Sequence, residues 1–189
     1  GTLYIPSLPI ETSVLEILKT RLSVYNSIGS LLPHSNTNVV SVGSACSLTI
    51  ASDSIDYIFV DPPFGSNIMY SELNFLPEAW LKVVTNNNTE AIINSVHGKT
   101  LFDYQNLMNR SFREFHRVLK PGKWLTMEFS HTSASVWNSI QNALQGVGFV
   151  VANVAALDKK QGSFKAVNSP TAVKQDLIIT CFKPSSELT

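Results

Sequence analysis

The residues with the clearest chemical potential are Asp61-Pro62-Pro63-Phe64, which directly follow the apolar run 56–60. Two consecutive prolines remove two backbone N–H donors and fix φ twice, so this turn offers carbonyl and carboxylate oxygens as acceptors. An acceptor-rich turn selects a ligand with N–H groups to donate, such as the exocyclic amino group of a nucleobase. Phe64 would supply a flat apolar surface for the base. The alternative is that Asp-Pro-Pro is only a rigid turn at the end of a strand.

A second candidate site lies in the polar stretch 158–174. Its candidate substrate-binding residues are Lys159, Lys160, Gln161, Ser163, Phe164 and Lys165. Three cations and one aromatic ring around a flexible glycine are typical of segments that meet a phosphate backbone and a base. The alternative is a solvated loop whose Phe164 packs into the core.

Alternating strands and helices must position these residues. The pattern predicts helices over 11–32, 71–83, 101–119 and about 135–144, and strands over 56–60, 124–129, 149–157 and 177–182. This alternation indicates α/β packing. Because no helix separates the last two strands, we expect them to be antiparallel neighbours. The continuous apolar run before Asp61 predicts a strand buried on both faces of the sheet.

The 189 residues, 44% of them hydrophobic and 15% charged, suffice for one domain with one core. Within it we expect an N-terminal helical segment over 1–37 and a sheet-containing core over 38–184. There is no apolar run of membrane-spanning length and no secretory leader. Cys46 and Cys181 lack disulfide or zinc spacing, and the four histidines show no ligand pattern. We therefore expect a cytoplasmic protein without a membrane segment or a metal.

Charge is distributed unevenly, although the formal net charge is +0. Residues 1–98 carry three basic and eight acidic side chains, whereas residues 99–189 carry eleven basic and six acidic ones. If a polyanion such as DNA binds, the C-terminal half is the more favourable partner. The alternative is an ordinary mixed, solvated surface.

Asp61-Pro62-Pro63-Phe64 resembles the (D/N/S)-P-P-(Y/F/W) motif of S-adenosylmethionine-dependent amino-methyltransferases, which act on adenine N6 or cytosine N4 in DNA. The segments 56–73, 112–125, 161–165 and 173–184 are similar to adenine-specific DNA methylases. The resemblance covers roughly residues 39–184. The segment R-V-L-K-P-G within 112–125 is weak by itself, because many methyltransferases of this fold have it.

The resemblance implies a partial Rossmann-like class I methyltransferase sheet, mostly parallel with an antiparallel last strand and helices on both faces. It implies S-adenosylmethionine as cofactor, DNA as partner and adenine N6 as the methylated group. Asp61, Pro62, Pro63 and Phe64 would form the catalytic motif. Tyr70, which follows the motif, is interpreted either as lining the entrance to the site or as a packing residue. Two alternatives are an RNA methyltransferase that modifies guanine N2 and an inactive methyltransferase-like module that binds nucleic acid or a protein partner.

The sequence departs from the family's pattern in the motif that binds the cofactor. Such enzymes bind S-adenosylmethionine through a glycine-rich turn after the first strand, and no such turn is found here. Gly146-Val147-Gly148 follows a predicted helix, so it is interpreted as a helix C-cap. Either the cofactor half lies outside residues 1–189, which the Gly1 start favours, or cofactor binding has been lost. We expect weak or no cofactor binding by this chain and a homodimer formed through an open strand edge.

One histidine also follows a predicted strand. His131 is interpreted either as a neighbour of the cofactor or as an ordinary surface histidine.

Overall fold

The structure is a computed structural model that describes residues 13–29, 39–41, 43–66, 68–130, 134–157 and 176–185. The chain divides into two compact units, Gly1–Val42 and Gly43–Thr189. The helices are α1 (Val14–Gly29), α2 (Tyr70–Leu81), α3 (Leu101–Val118) and α4 (Ala134–Gly146), with a short 3-10 helix at Asn87–Thr89. The strands are β1 (Ile55–Val60), β2 (Leu119–Phe129), β3 (Val150–Leu157) and β4 (Asp176–Phe182).

The first unit contains α1, which confirms the helix predicted over 11–32 for the residues that are described. Apolar side chains of this helix, among them Leu15 and Tyr25, are exposed. In the described ranges of the chain, no helix is both long enough and apolar enough to cross a membrane.

The second unit contains a four-stranded sheet in the order β1-β2-β4-β3. Strands β1 and β2 are parallel, and β4 is antiparallel to both of its neighbours. Three strands therefore share one direction and β4 is reversed, which confirms the expected α/β fold with a mostly parallel sheet and an antiparallel last strand. The predicted antiparallel pairing of the last two strands is also confirmed.

The core lies between this sheet and the helices α3 and α4, which pack against each other. Helix α3 begins with a capping box, in which Thr100 and Asp103 each accept a hydrogen bond from the other's backbone N–H. Its fully buried side chains Tyr104 and Phe112 face Leu125 and Met127 of β2 in the core. The amphipathic stripe predicted over 101–119 therefore contributes buried side chains to the core, as α4 does with Val136, Ile140 and Leu144.

The boundary between α3 and β2 differs from the prediction. The helix ends at Val118 and β2 begins at Leu119, so Pro121 and Gly122 lie within the strand instead of in a loop before it. Gly122 has a φ of 73°, and its N–H donates to the Lys183 carbonyl. The strand tolerates Pro121 because pairing with β1 is irregular here.

The prediction that β1 is buried on both faces is wrong for the described structure. Ile58 and Val60 pack against the core, whereas Tyr57 is 54% and Phe59 60% exposed. The described contacts place α3 and α4 against the face of the sheet that carries Ile58 and Val60, so Tyr57 and Phe59 lie on the other face. Tyr57 pairs with Trp124 of β2, whose ring lies 5.3 Å from that of Phe182 in β4. The exposed rings of Tyr57 and Trp124 and the half-buried ring of Phe182 thus form a row across three strands.

Candidate functional site

The motif Asp61-Pro62-Pro63-Phe64 lies directly after the carboxyl end of β1. Asp61 is exposed, the next three residues are half-buried, and Gly65 is buried. Gly65 has a φ of 67°, in the left-handed region that favours glycine. Ligands of open α/β sheets bind at this edge, beyond the carboxyl ends of the strands. The exposed carboxylate therefore lies where a ligand can reach it.

The ends of the second candidate segment lie at the same edge of the sheet. Because β1, β2 and β3 share one direction, their last residues lie at one edge, and the reversed β4 begins there. Leu157 pairs with Asp176 at this edge. The segment 158–175 thus leaves and rejoins the sheet on the side where Asp61 lies. The candidate residues themselves, Lys159, Lys160, Gln161, Ser163, Phe164 and Lys165, lie outside the described residues, as does His131.

Phe64 packs partly against the core. Its ring meets that of Phe129, the last residue of β2, edge to face, with centroids 5.5 Å apart. The ring is half-buried, so only part of its surface is available to a ligand. The contact fixes the orientation of the motif's aromatic ring before any ligand arrives.

The motif is also held by a hydrogen bond that the sequence did not predict. The Tyr104 hydroxyl donates to the Pro63 carbonyl at 2.8 Å. Tyr104 is fully buried, and burial raises the pKa of its phenol, so the group remains protonated and acts as a donor. One feature of the sequence could have indicated this hydrogen bond, since Tyr104 lies in an otherwise apolar helical stripe. A buried tyrosine hydroxyl usually has a hydrogen-bond partner.

Tyr70, the first residue of α2, lies near the motif. Partial burial raises the pKa of its phenol, and the negative charge of Asp61 raises it further. The phenol of Tyr70 is therefore within range of the charge of Asp61.

The start of α2 is fixed by a carboxylate from a later loop. Glu90 accepts hydrogen bonds from the Ser71 N–H at 3.0 Å and from the Ser71 hydroxyl at 2.7 Å. Met69, at the N-cap, makes no side-chain cap. An anion at this position satisfies an unpaired N–H and favours the positive end of the helix. Ile93 follows Glu90 in the same loop, and its N–H donates to the carbonyl of Gly65. This loop therefore also supports the residue that directly follows the motif.

The described residues do not fit the expected cofactor turn. The residues 146–148 end α4, and the N–H groups of Val147 and Gly148 donate to the carbonyls of Ala143 and Gln145. This confirms their interpretation as a helix C-cap. Among the described residues, no G-x-G turn joins the end of a strand to the start of a helix, so we assign none of them to S-adenosylmethionine. Within the same ranges, no three His, Cys, Asp or Glu side chains come together as metal ligands.

Comparisons with known proteins extend this description. No protein-family model and no curated protein matches the sequence. Among solved structures, the chain is similar to TTHA0409 of Thermus thermophilus, provisionally described as a DNA modification methylase and solved with S-adenosyl-L-methionine. That match has 16% identity, covers 77% of this chain and 55% of the other, and has a TM-score of 0.45. The chain thus spans about half the length of that protein.

Two further solved structures are similar at a comparable level. A SAM-dependent methyltransferase from Methanosarcina mazei matches with 12% identity over 84% of this chain and 75% of its own, at a TM-score of 0.42. The [4+2]-cyclase SpnF matches with 12% identity over 89% of this chain and 64% of its own, at a TM-score of 0.48.

Proposed function

We propose that this chain is the target-base part of an S-adenosylmethionine-dependent DNA methyltransferase that methylates the exocyclic N6 of a flipped adenine. The observation that supports it is the exposed Asp61 carboxylate on a stiff, donor-poor turn at the carboxyl edge of the sheet. Both ends of the basic, aromatic segment 158–175 lie at the same edge. The acceptor turn suits a nucleobase amino group, and the basic, aromatic segment suits a phosphate backbone and a stacked base.

The residues of the turn act by orienting and polarising the amino group. The adenine amino nitrogen is a poor nucleophile because its lone pair is delocalised into the ring. Hydrogen bonds from its two N–H groups to the Asp61 carboxylate and the Pro62 carbonyl would favour a tetrahedral nitrogen with an exposed lone pair. S-adenosylmethionine would supply the methyl group. Because methylation makes the nitrogen cationic and acidic, its proton can leave afterwards, so Asp61 acts as an acceptor and not as a strong base.

The target adenine must leave the double helix before its amino group can reach Asp61 and Pro62. Flipping a base out costs a few kcal/mol in lost pairing and stacking. The accessible part of the Phe64 ring would restore some of this free energy by stacking. Lys159, Lys160 and Lys165 would contact the phosphates, and Phe164 would offer a second stacking surface.

Methyl transfer by the full-length protein tests the proposal. Transfer of labelled methyl groups is measured on double-stranded DNA and on RNA. We expect transfer to adenine in DNA, with Asp61→Ala lowering the rate by roughly 100-fold or more, as loss of an electrostatic contact at a reacting group does. Asp56→Ala is the matched control, because Asp56 is an exposed aspartate of the adjoining strand whose partners are Lys120 and Lys123. Its rate should stay within about twofold of the unsubstituted protein.

Three outcomes would contradict the proposal. Transfer only to RNA would favour guanine N2 methylation, and no transfer to either would favour a binding module. An Asp61→Ala variant that keeps more than a few per cent of the rate would remove Asp61 from the assigned role.

A further inference from the structure

We propose that the Tyr104 hydroxyl is a positioning group of the site, which holds the Pro63 carbonyl and thereby fixes the direction in which the Pro62 carbonyl faces. The catalytic consequence rests on the proposed function, whereas the hold on the turn does not. Tyr104 touches neither substrate nor cofactor in this scheme and acts through the motif's backbone.

Tyr104 is suited to this because it cannot move easily. Its side chain is fully buried in the cluster that includes Met108 and Phe112 on the same helix. Its N–H donates to the Thr100 carbonyl in the capped first turn of α3. Close packing and a capped helix start leave the hydroxyl in one place. The 2.8 Å hydrogen bond therefore ties the motif to a fully buried side chain of α3.

The hydrogen bond to the Pro63 carbonyl also restricts the direction of the neighbouring Pro62 carbonyl. Pro62 precedes another proline, so its backbone is restricted to extended or polyproline II conformations. In these conformations neighbouring carbonyls point in different directions. With the Pro63 carbonyl bound by α3, the Pro62 carbonyl faces elsewhere.

The carbonyl groups of the turn differ in their hydrogen-bond partners. Tyr104 donates to Pro63, and Ile93 donates to Gly65. None of the described residues donates to the Pro62 carbonyl. The acceptor assigned to the substrate is thus a carbonyl that the described residues leave unused, and the Tyr104 hydrogen bond keeps it distinct from the Pro63 carbonyl.

Tyr104→Phe tests the inference in the full-length protein, since it removes the hydroxyl and keeps the ring that fills the core. We expect kcat for methyl transfer to fall about tenfold, because a small misplacement of the reacting group is costly. KM for DNA should change by no more than about twofold, since the contacts that hold DNA remain. Ser111→Ala is the matched control, because it removes a buried hydroxyl of α3 that bonds Leu107 and Cys46. Its kcat should equal that of the unsubstituted protein.

A spectroscopic measurement tests the hold on the turn without activity. Pro63-Phe64 is the sole Pro-Phe pair in the 189-residue sequence. Labelling proline with ¹³C at the carbonyl and phenylalanine with ¹⁵N therefore gives one carbonyl–amide NMR signal from these 189 residues, which the loss of that signal in Pro63→Ala assigns. We expect the Pro63 carbonyl resonance to move upfield in Tyr104→Phe, as carbonyls do on losing a hydrogen bond. It should stay unchanged in Ser111→Ala.

The two measurements separate failure of the inference from failure of the proposed function. An unmoved Pro63 signal in Tyr104→Phe overturns the inference, and so does a moved signal with an unchanged kcat. Absence of methyl transfer by the unsubstituted protein contradicts the proposed function instead. In that case the signal alone decides whether Tyr104 holds the turn.

Discussion

The rings of Phe64 and Phe129 meet edge to face at an interplanar angle of 82°. Phe129 ends β2 and Phe64 follows β1, so the contact joins the candidate motif to the neighbouring parallel strand. Pairs of this geometry contribute about 0.5–1.5 kcal/mol beyond the area they bury. The aromatic ring of the motif is therefore part of the sheet's packing as well as a candidate surface for a base.

Replacing Phe64 should separate these two roles. In Phe64→Leu the side chain still fills apolar space, but the flat ring is lost. Loss of one stacked base weakens binding by about 1–3 kcal/mol, or roughly 5- to 150-fold. We expect a loss in this range for the affinity of the full-length protein for single-stranded DNA, measured by fluorescence anisotropy.

Phe115→Leu is the control for the Phe64 variant. Phe115 is a half-buried phenylalanine that packs against Phe112 on α3. Its replacement should leave DNA affinity unchanged. Equal losses in the two variants would mean that general destabilisation, and not stacking, explains the effect.

Removing Glu90 should destabilise the unit that carries the site. Glu90→Ala leaves the Ser71 N–H and hydroxyl without their shared acceptor. Hydrogen bonds to a charged group contribute about 1.5–3 kcal/mol each, so we expect the loss of both to lower the free energy of unfolding by about 3 kcal/mol or more. Urea denaturation measures this. Glu72→Ala, in the same helix, should change it by less than about 0.5 kcal/mol, because the carboxylate of Glu72 is exposed and lies 3.9 Å from His97. A loss as large as that of Glu90→Ala would contradict the capping role.

Stability should depend on Glu114 in acid. Its carboxylate accepts hydrogen bonds from Arg117 and from the Leu48 N–H, which lower its pKa from 4.5 to about 2. A lowered folded-state pKa stabilises the folded protein above the unfolded-state value. The contribution is thus complete above about pH 4.5 and disappears as the pH falls toward 2.

Glu114→Gln makes this measurable. Urea denaturation between pH 2 and 6 gives the free energy of unfolding of both proteins. The unsubstituted protein should be more stable at pH 6, and the difference should shrink between pH 4.5 and 2. A difference that is constant over this range would show that the ion pair does not titrate as proposed.

The features predicted from sequence are those with a local or periodic signal. The apolar stripe of α3 and the strand before Asp61 are visible in the order of the residues. The antiparallel pairing of β3 and β4 followed from the absence of a helical pattern in the sequence between them. The first two of these depend on residues close together in the chain, and the third depends on the pattern of the segment that joins the two strands.

The missed features depend on distant partners. Tyr104 bonds a carbonyl 41 residues away, and Glu90 caps a helix through Ser71, 19 residues away. Neither pair has a spacing that predicts contact. The exposed face of β1 was missed for a related reason, because a run of apolar residues shows that a strand can be buried but does not show which elements cover it.

The reversed direction of β4 has a consequence for variation in length. Because Leu157 and Asp176 are paired, both ends of 158–175 are already anchored side by side. Doubling the length of such a connection costs only ~0.6 kcal/mol in closure entropy. Insertions and deletions there would leave the framework of the sheet intact, so the length of this segment can vary while Asp61 and its supports stay in place.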